Sequence, residues 1–264
     1  MLSPTTFWRD WRTRVVELKS SRDREKMRGA GRVVAEVLEI LRDTVKPGVT
    51  TRDLDVVADR EIRHREAIPV FKGYQGYPAS VCVSINDQVV HGIPGTRVIH
   101  PGDLVSIDLG AVLDGFVGDA AFSMFVGNPP NDRAKELLQV TEEALYKGIE
   151  ASRVGGHLGD VGAAVQQHVE AHGFSVVRDF VGHGVGRKMH EDPQVPNYGT
   201  PGRGLLLKSG LAIAIEPMVN VGTHQVDVGA DGWTVTTRDH SLSAHFEHTI
   251  FVSEDGPEIL TALR

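Results

Sequence analysis

The sequence predicts an α+β fold in which helices and strands come in two similar rounds. Three observations carry this. Two capped helical segments precede a block of strands, and two more helices precede a second block. Asp114–Gly115 joins two long apolar runs, a strong short-range signal for a hairpin. The stretch "GDLVSID", ending in Asp108, is echoed by "SGLAIAIE", ending in Glu216; each is a glycine-led apolar strand closed by a carboxylate. Two half-domains facing a shared site produce such an echo, and so does chance likeness between buried strands.

In chain order, residues 1–19 read as a short amphipathic extension, with Phe7, Trp8 and Trp11 as anchors on the main body. Ser20 and Asp23 form a capping box for a helix whose Met27, Ala30, Val34, Val37, Leu38 and Leu41 recur at helical spacing. Pro47 and Gly48 mark its end, and Thr50 with Asp53 repeats the capping signal for a second helix to about residue 66. Strands follow in "SVCVSIN", "DLVSIDLGAVL" and "GFVGDAAFSMFVG". Helices over 132–151 and 158–172 come next, the latter closed by Gly173. Strands return in "GLAIAIEPMVN", "WTVTT" and "AHFEHTIFVS". No low-complexity stretch or linker divides residues 20–264, which read as a single domain.

The chain has 264 residues, 41% of them hydrophobic, enough to bury a sizeable core. Its net charge is −7 with scattered basic residues, which leaves no footprint for nucleic acid or anionic lipid. Cys82 is the single cysteine, so neither a disulfide framework nor a thiolate zinc site fits. The first residues carry charges throughout and lack the apolar core of a secretory signal. No stretch approaches the roughly 20 apolar residues of a membrane helix. The expectation is a cytoplasmic protein.

Several carboxylates stand where apolar residues belong. Asp108 lies inside "LVSIDLGAV" and Asp119 inside "FVGDAAFSMF". Burying a carboxylate costs several kcal/mol, about 3–5 where it is left unpaired, unless a partner or metal compensates. With the Asp114–Gly115 turn, paired residue numbers sum to 229, so Asp119 faces Gly110, two positions from Asp108 on one face. Such an arrangement suits a metal pair, or one Asp caps a turn while the other bonds at a strand edge. Glu216, held extended by Pro217, and Glu247, alternating with His245 and Thr249, each also read as solvated strand residues when taken singly. Taken together, four acids in apolar strands without thiolates suit Mn, Fe or Co(II) with one or two imidazoles. His183, between Gly182 and Gly184, is the natural nitrogen ligand, its glycines allowing close approach and φ > 0.

The remaining histidines divide. His168 and His172 sit at i and i+4, but "HVEAH" misplaces the Glu of a zinc-protease motif, and a helix C-terminus explains both. His91 alone reads as a loop histidine. "GHGVGRK" is not a phosphate loop.

The stretches "GYQGYPASVCVSINDQVVHGIP", "SIDLGAVLDGFVGDAAFSMF", "VGHGVGRKMHEDPQVPNYG", "AIAIEPMVNVG" and "HFEHTIFV" together resemble the type I methionine aminopeptidases of the M24 metallopeptidases, over residues 19 to 260. The resemblance implies the pita-bread fold, two pseudo-symmetric halves with an antiparallel sheet flanked by helices. It implies two divalent ions (Co, Mn or Fe(II)) on Asp108, Asp119, His183, Glu216 and Glu247, with Asp119 and Glu247 bridging. The implied reaction is removal of N-terminal methionine before a small second residue, by a metal-bridged hydroxide attacking the first peptide bond. Glu216 would carry the proton, His190 would polarise the carbonyl and His91 would bond the scissile nitrogen. The methionine side chain would meet Phe71, Tyr74, Tyr77, Cys82, Met189 and Trp233. The implied partners are N-termini of nascent polypeptides near the ribosome, and the implied state is a monomer. Two rivals share the fold. Proline-specific peptidases usually carry a substantial N-terminal domain, whereas about 20 residues precede the first core helix here. A non-catalytic binding module should have lost ligands, and all five are present.

Overall fold

The structure, a computed structural model, describes residues 16–263, so the anchors Phe7, Trp8 and Trp11 lie outside the described residues. Both capping boxes form. Ser20 Oγ accepts the Asp23 N–H at 3.2 Å while the Asp23 carboxylate accepts the Ser20 N–H at 3.0 Å, opening α1 (Ser21–Thr44). Thr50 and Asp53 do the same for α2 (Thr51–His64). The six apolar residues predicted at helical spacing in α1 are all buried.

The strands of the first round are β1 (Ile68–Pro69), β2 (Cys82–Ile85), β3 (Gln88–Val90), β4 (Leu104–Leu113) and β5 (Phe116–Phe125). The second helical pair is α3 (Asp132–Ala151) and α4 (Leu158–Ala171). It is followed by β6 (Ser175–Val176), β7 (Gly182–Gly184), β8 (Glu191–Val195), β9 (Ala212–Ile215), β10 (Met218–Asn220), β11 (Val226–Val228) and β12 (Val235–Thr237). The last strands are β13 (Ser243–His245), β14 (Glu247–Ser253) and β15 (Gly256–Ile259). Several of these are two or three residues long, too short for alternation to reveal them in sequence.

Nine strands form the main sheet in the order β1-β4-β5-β14-β9-β7-β8, with β2 added on β4 and β15 on β14. Two three-stranded sheets, β13-β10-β6 and β11-β12-β3, stand beside it. Strand pairings among the described residues are antiparallel. Asp114 (φ 51°) and Gly115 (φ 77°) take the left-handed conformations of a tight hairpin turn. The β4–β5 register runs from Leu104 opposite Phe125 to Leu113 opposite Phe116, with Gly110 facing Asp119 as predicted. Helix α1 lies on β4 and β5, while α3 lies against β9 and β14. The two halves meet where β5 pairs with β14 at Ala120–His248 and Ala121–Glu247. The fold is therefore the expected α+β arrangement of two similar halves around an antiparallel sheet.

Two expected strands divide. "GLAIAIEPMVN" splits into β9 and β10, and "AHFEHTIFVS" into β13 and β14. Pro217 has no N–H for the ladder, and its carbonyl takes the Phe246 N–H at 3.3 Å. The register persists across the break: His248 faces Ile215 before it and His245 faces Met218 after it. Glu216 and Glu247 therefore stand opposite one another at an interrupted rung. That gap is where the site opens.

His248 lies on the outer face of β14, its Nδ1 bonded to Thr261 Oγ1 at 2.9 Å and its ring 6.2 Å from Tyr146. Burial pulls its pKa down to about 4. Between the unfolded value near 6.5 and about 4, the unfolded chain binds a proton that the folded chain does not, so stability is lost as pH falls through this window. His248→Gln should reduce the loss of melting temperature between pH 7 and 4.5 by several degrees, at about 2–4 °C per kcal/mol. Parallel melting curves of variant and wild type would show His248 not to be the cause.

No helix among the described residues is long and apolar enough to cross a membrane.

Candidate metal centre

The register places the predicted acids on one face of the main sheet, in adjacent rungs. One rung runs Gly110, Asp119, Thr249, Ala214, His183, and the next runs Cys82, Asp108, Ala121, Glu247, Glu216. Small residues alternate with the ligand candidates, so the acids face a space that larger side chains would fill. Two hydrogen bonds fix Asp119 from behind: its N–H donates to Thr249 Oγ1 at 3.1 Å, and that hydroxyl donates to the Asp119 carbonyl at 2.8 Å.

Asp119, His183 and Glu247 are buried and bring one ligand atom each within 4.8 Å of one another. Glu216 joins them through its Oε1, 3.6 Å from His183 Nε2, which also lies 3.6 Å from Asp119 Oδ2. Asp108 completes the face at the rung beside Cys82. His183 donates its Nδ1–H to the Gly184 carbonyl at 2.9 Å, which leaves the Nε2 lone pair aimed at the acids.

Asp108 Oδ1, Asp119 Oδ1 and Glu247 Oε1 are buried without a hydrogen-bond partner in the protein. Burial first, and then the neighbouring negative charges, push Asp108, Glu216 and Glu247 well above ordinary carboxylate values. Asp119 is also raised by burial, against which His183 works. Buried acids grouped with an imidazole lone pair, as Asp119 and Glu247 are with His183, fit a hard or borderline divalent cation, and apolar neighbours could not satisfy their unpaired oxygens.

The glycine frame acts differently from the sequence expectation. His183 sits on strand β7 rather than a loop, and neither Gly182 nor Gly184 has positive φ. A Cβ on Gly182 would stand 2.3 Å from the Ala214 carbonyl oxygen, and one on Gly184 would stand 2.2 Å from that of Asp192. These glycines let β9 and β8 close in on the histidine, so close approach, not unusual φ, is what they supply.

Three further histidines border the acids. The His190 ring is centred 4.2 Å from that of His183, and its Nδ1 is 2.8 Å from the Tyr74 hydroxyl. His91 holds a left-handed backbone at φ 59°, unusual for a side chain with a Cβ. Its ring lies 5.7 Å from Phe180 and 6.3 Å from Trp233, and burial lowers its pKa to about 4. His245 was not among the predicted site residues, though alternation had put it on the Glu247 face. It is 2% exposed, with Nε2 3.9 Å from Glu216 Oε2. By contrast His168 bonds Glu143 and His172 bonds the His168 carbonyl at the end of α4, the ordinary role expected of them.

An apolar cluster adjoins the Asp108 rung. Phe71, Tyr77, Cys82 and Met189 belong to one buried cluster, and Tyr74 and Trp233 pack against it. Tyr77 crosses Trp233 edge-on at 5.1 Å, and its hydroxyl is tied to the Val81 and Gly92 carbonyls. Because Cys82 faces Asp108 directly across the β2–β4 ladder, the cluster abuts the acids.

Buried acids that a cation would satisfy, grouped around an imidazole lone pair, are the construction of a metal-dependent enzyme. Residues 25–254 match the Metallopeptidase family M24. A methionine aminopeptidase of Clostridium acetobutylicum is 50% identical over 248 residues, which cover 94% of this chain and 99% of that protein. The crystal structure of methionine aminopeptidase from Rickettsia prowazekii has a TM-score of 0.92 and 47% identity, covering 94% of this chain and all of that one. The prolidase from Pyrococcus furiosus, at 21% identity and a TM-score of 0.75, shares the fold; the match spans 94% of this chain and 66% of that one. The chain belongs to metallopeptidase family M24 and, within it, to the methionine aminopeptidases.

Proposed function

We propose that the protein is a methionyl aminopeptidase that removes the first residue of peptides and nascent chains, preferring a small second residue. The observation that carries the site assignment is the set of partnerless carboxylate oxygens beside the His183 lone pair, next to a cluster of aromatics and sulfur. Membership of the family brings a divalent metal. Asp108, Asp119, His183, Glu216 and Glu247 would hold two such ions, of Mn, Fe(II) or Co; Asp119, His183 and Glu247 already group their ligand atoms. Bound divalent ions would lower the pKa of a coordinated water and polarise the substrate carbonyl.

The chain's own residues do the rest. Glu216, at the interrupted rung between His183 and His245, can take a proton and return it to the leaving amine. If the Tyr74 hydroxyl donates to its Nδ1, 2.8 Å away, His190 would carry its N–H on Nε2 and could stabilise negative charge on the carbonyl oxygen. His91, neutral at working pH, is suited to hydrogen-bond the scissile nitrogen. Phe71, Tyr74, Tyr77, Cys82, Met189 and Trp233 would enclose the unbranched, polarizable thioether. Residues 20–264 would act as one domain. The protein would work as a monomer, since one chain supplies every predicted residue of the site, and would act on nascent chains in the cytoplasm near the ribosome.

Mass spectrometry of a Met-Ala-Ser peptide, with chelated protein and again after Mn(II) or Co(II) is restored, tests this reading. Methionine should be lost only with metal, and an Ala-Pro-Ser control in the same tubes should stay intact. Cleavage of the control instead would move the protein to the proline-specific branch of the fold. An intact Met-Ala-Ser peptide with every metal would contradict the assignment.

A further inference from the structure

A third rung continues the site face beyond the two that carry the acids. Ser106 faces Ser123 across the β4–β5 hairpin, and the β5–β14 register extends to place His245 beside Ser123. The Ser123 hydroxyl donates to the His245 carbonyl at 2.7 Å and accepts the His245 N–H at 2.9 Å. Ser106 Oγ lies 2.7 Å from Ser123 Oγ and completes the chain of hydroxyls. All three residues are 3% exposed or less. The backbone of His245 is thus clamped at the point where the chain crosses from the small sheet to the main one, one residue before the break at Phe246.

This clamp aims the ring at the opening. His245 Nε2 is buried and has no hydrogen-bond partner in the protein, and Glu216 Oε2, 3.9 Å away, is the acceptor in front of it. A buried ring nitrogen left unpaired is destabilising, so the arrangement needs a reason. A carboxylate held by a directed N–H is the usual way of fixing a ligand's orientation. We infer that His245 is a positioning residue for Glu216, donating its Nε2–H to the carboxylate oxygen that faces away from His183. The inference rests on the reading of Glu216 as a metal ligand and proton carrier. It gives Glu216 two fixed sides: Oε1 toward His183 and Oε2 toward His245. It also explains the serine pair, which otherwise has no task in an apolar sheet.

The test compares His245→Gln with His245→Asn. The Gln amide nitrogen reaches the place of Nε2, whereas the Asn amide reaches only that of Nδ1. Mn(II) affinity and stoichiometry are read by titration calorimetry, and kcat and KM on Met-Ala-Ser by a rate assay. His245→Asn should weaken Mn(II) binding and lower kcat by roughly 10–100-fold with little change in KM, and His245→Gln should recover most of both. Equal behaviour of Asn and wild type would overturn the inference, as would a Gln variant no better than Asn. Loss of a whole metal equivalent would make His245 a ligand and also overturn it. If His245→Asn does not fold, Ser123→Ala releases the backbone clamp while keeping the ring. It should lower Mn(II) affinity in the same direction, and an unchanged affinity would reject the inference. The calorimetry stands by itself if wild type left the peptide intact, a result that would count against the proposed activity instead.

Discussion

Glu247→Gln should reduce turnover at least about a thousandfold, beyond the ~10–100-fold expected for residues that only support a ligand, and yet raise the melting temperature of the metal-free protein. Both effects follow from one side chain. Glu247 is 2% exposed, opposite Ala121 at the seam of the halves, with Oε1 lacking a partner. Its pKa is raised, first by burial and then by Asp119, Glu216 and Asp108. A raised carboxyl pKa means that the folded chain holds a proton the unfolded chain has released. Stability is then full below the unfolded value, near 4.3, and is lost as pH rises above it. Metal-free wild type should therefore melt at lower temperature at pH 8 than at pH 5, with the difference removed by added Mn(II). Replacing the carboxyl with a neutral amide relieves the repulsion at neutral pH but deletes a ligand oxygen. Scanning calorimetry of metal-free and metal-loaded protein checks both effects. A variant still stabilised by Mn(II) as strongly as wild type would show that Glu247 is not a ligand.

His190→Ala should lower kcat by about 10²–10³, the usual consequence of removing a donor from a developing oxyanion, while bound metal is retained. The separation is expected because His190 stands outside the ligand set, held by the Tyr74 hydroxyl and stacked near His183 rather than aimed at the acids. Tyr74→Phe removes the support without the ring and should give a smaller loss in the same direction. Rate assays beside metal analysis decide between roles. If His190→Ala loses metal along with activity, it belongs with the ligands.

Much of this was legible in the sequence because the constraints were local. Ser20–Asp23 and Thr50–Asp53 announced helices that begin where they should. Asp114–Gly115 sets the hairpin register, and with it the relation of Asp108 to Asp119, through local turn chemistry alone. The convergence of Glu216 and Glu247 was not local. It depends on β9 and β14 pairing across more than thirty residues and on Pro217 stopping the ladder beside them, which no spacing in the chain expresses. The same break hid His245: read as part of one continuous strand, it looked like a neighbour of Glu247 and gave no sign of facing Glu216. Of the two uses the sequence suggested for the glycines around His183, close approach and positive φ, only close approach is realised. They mark contact with the Ala214 and Asp192 carbonyls, and a sequence cannot separate close approach from positive φ.

The most direct test of the central claim is anomalous diffraction from a crystal of the Mn(II)-loaded protein, collected at the manganese edge. Two peaks should lie against the main sheet between Asp119 and Glu247, one of them within bonding distance of His183 Nε2. A single peak would reduce the proposed pair to one ion. Peaks elsewhere, or none beside Asp119, His183 and Glu247, would contradict the account.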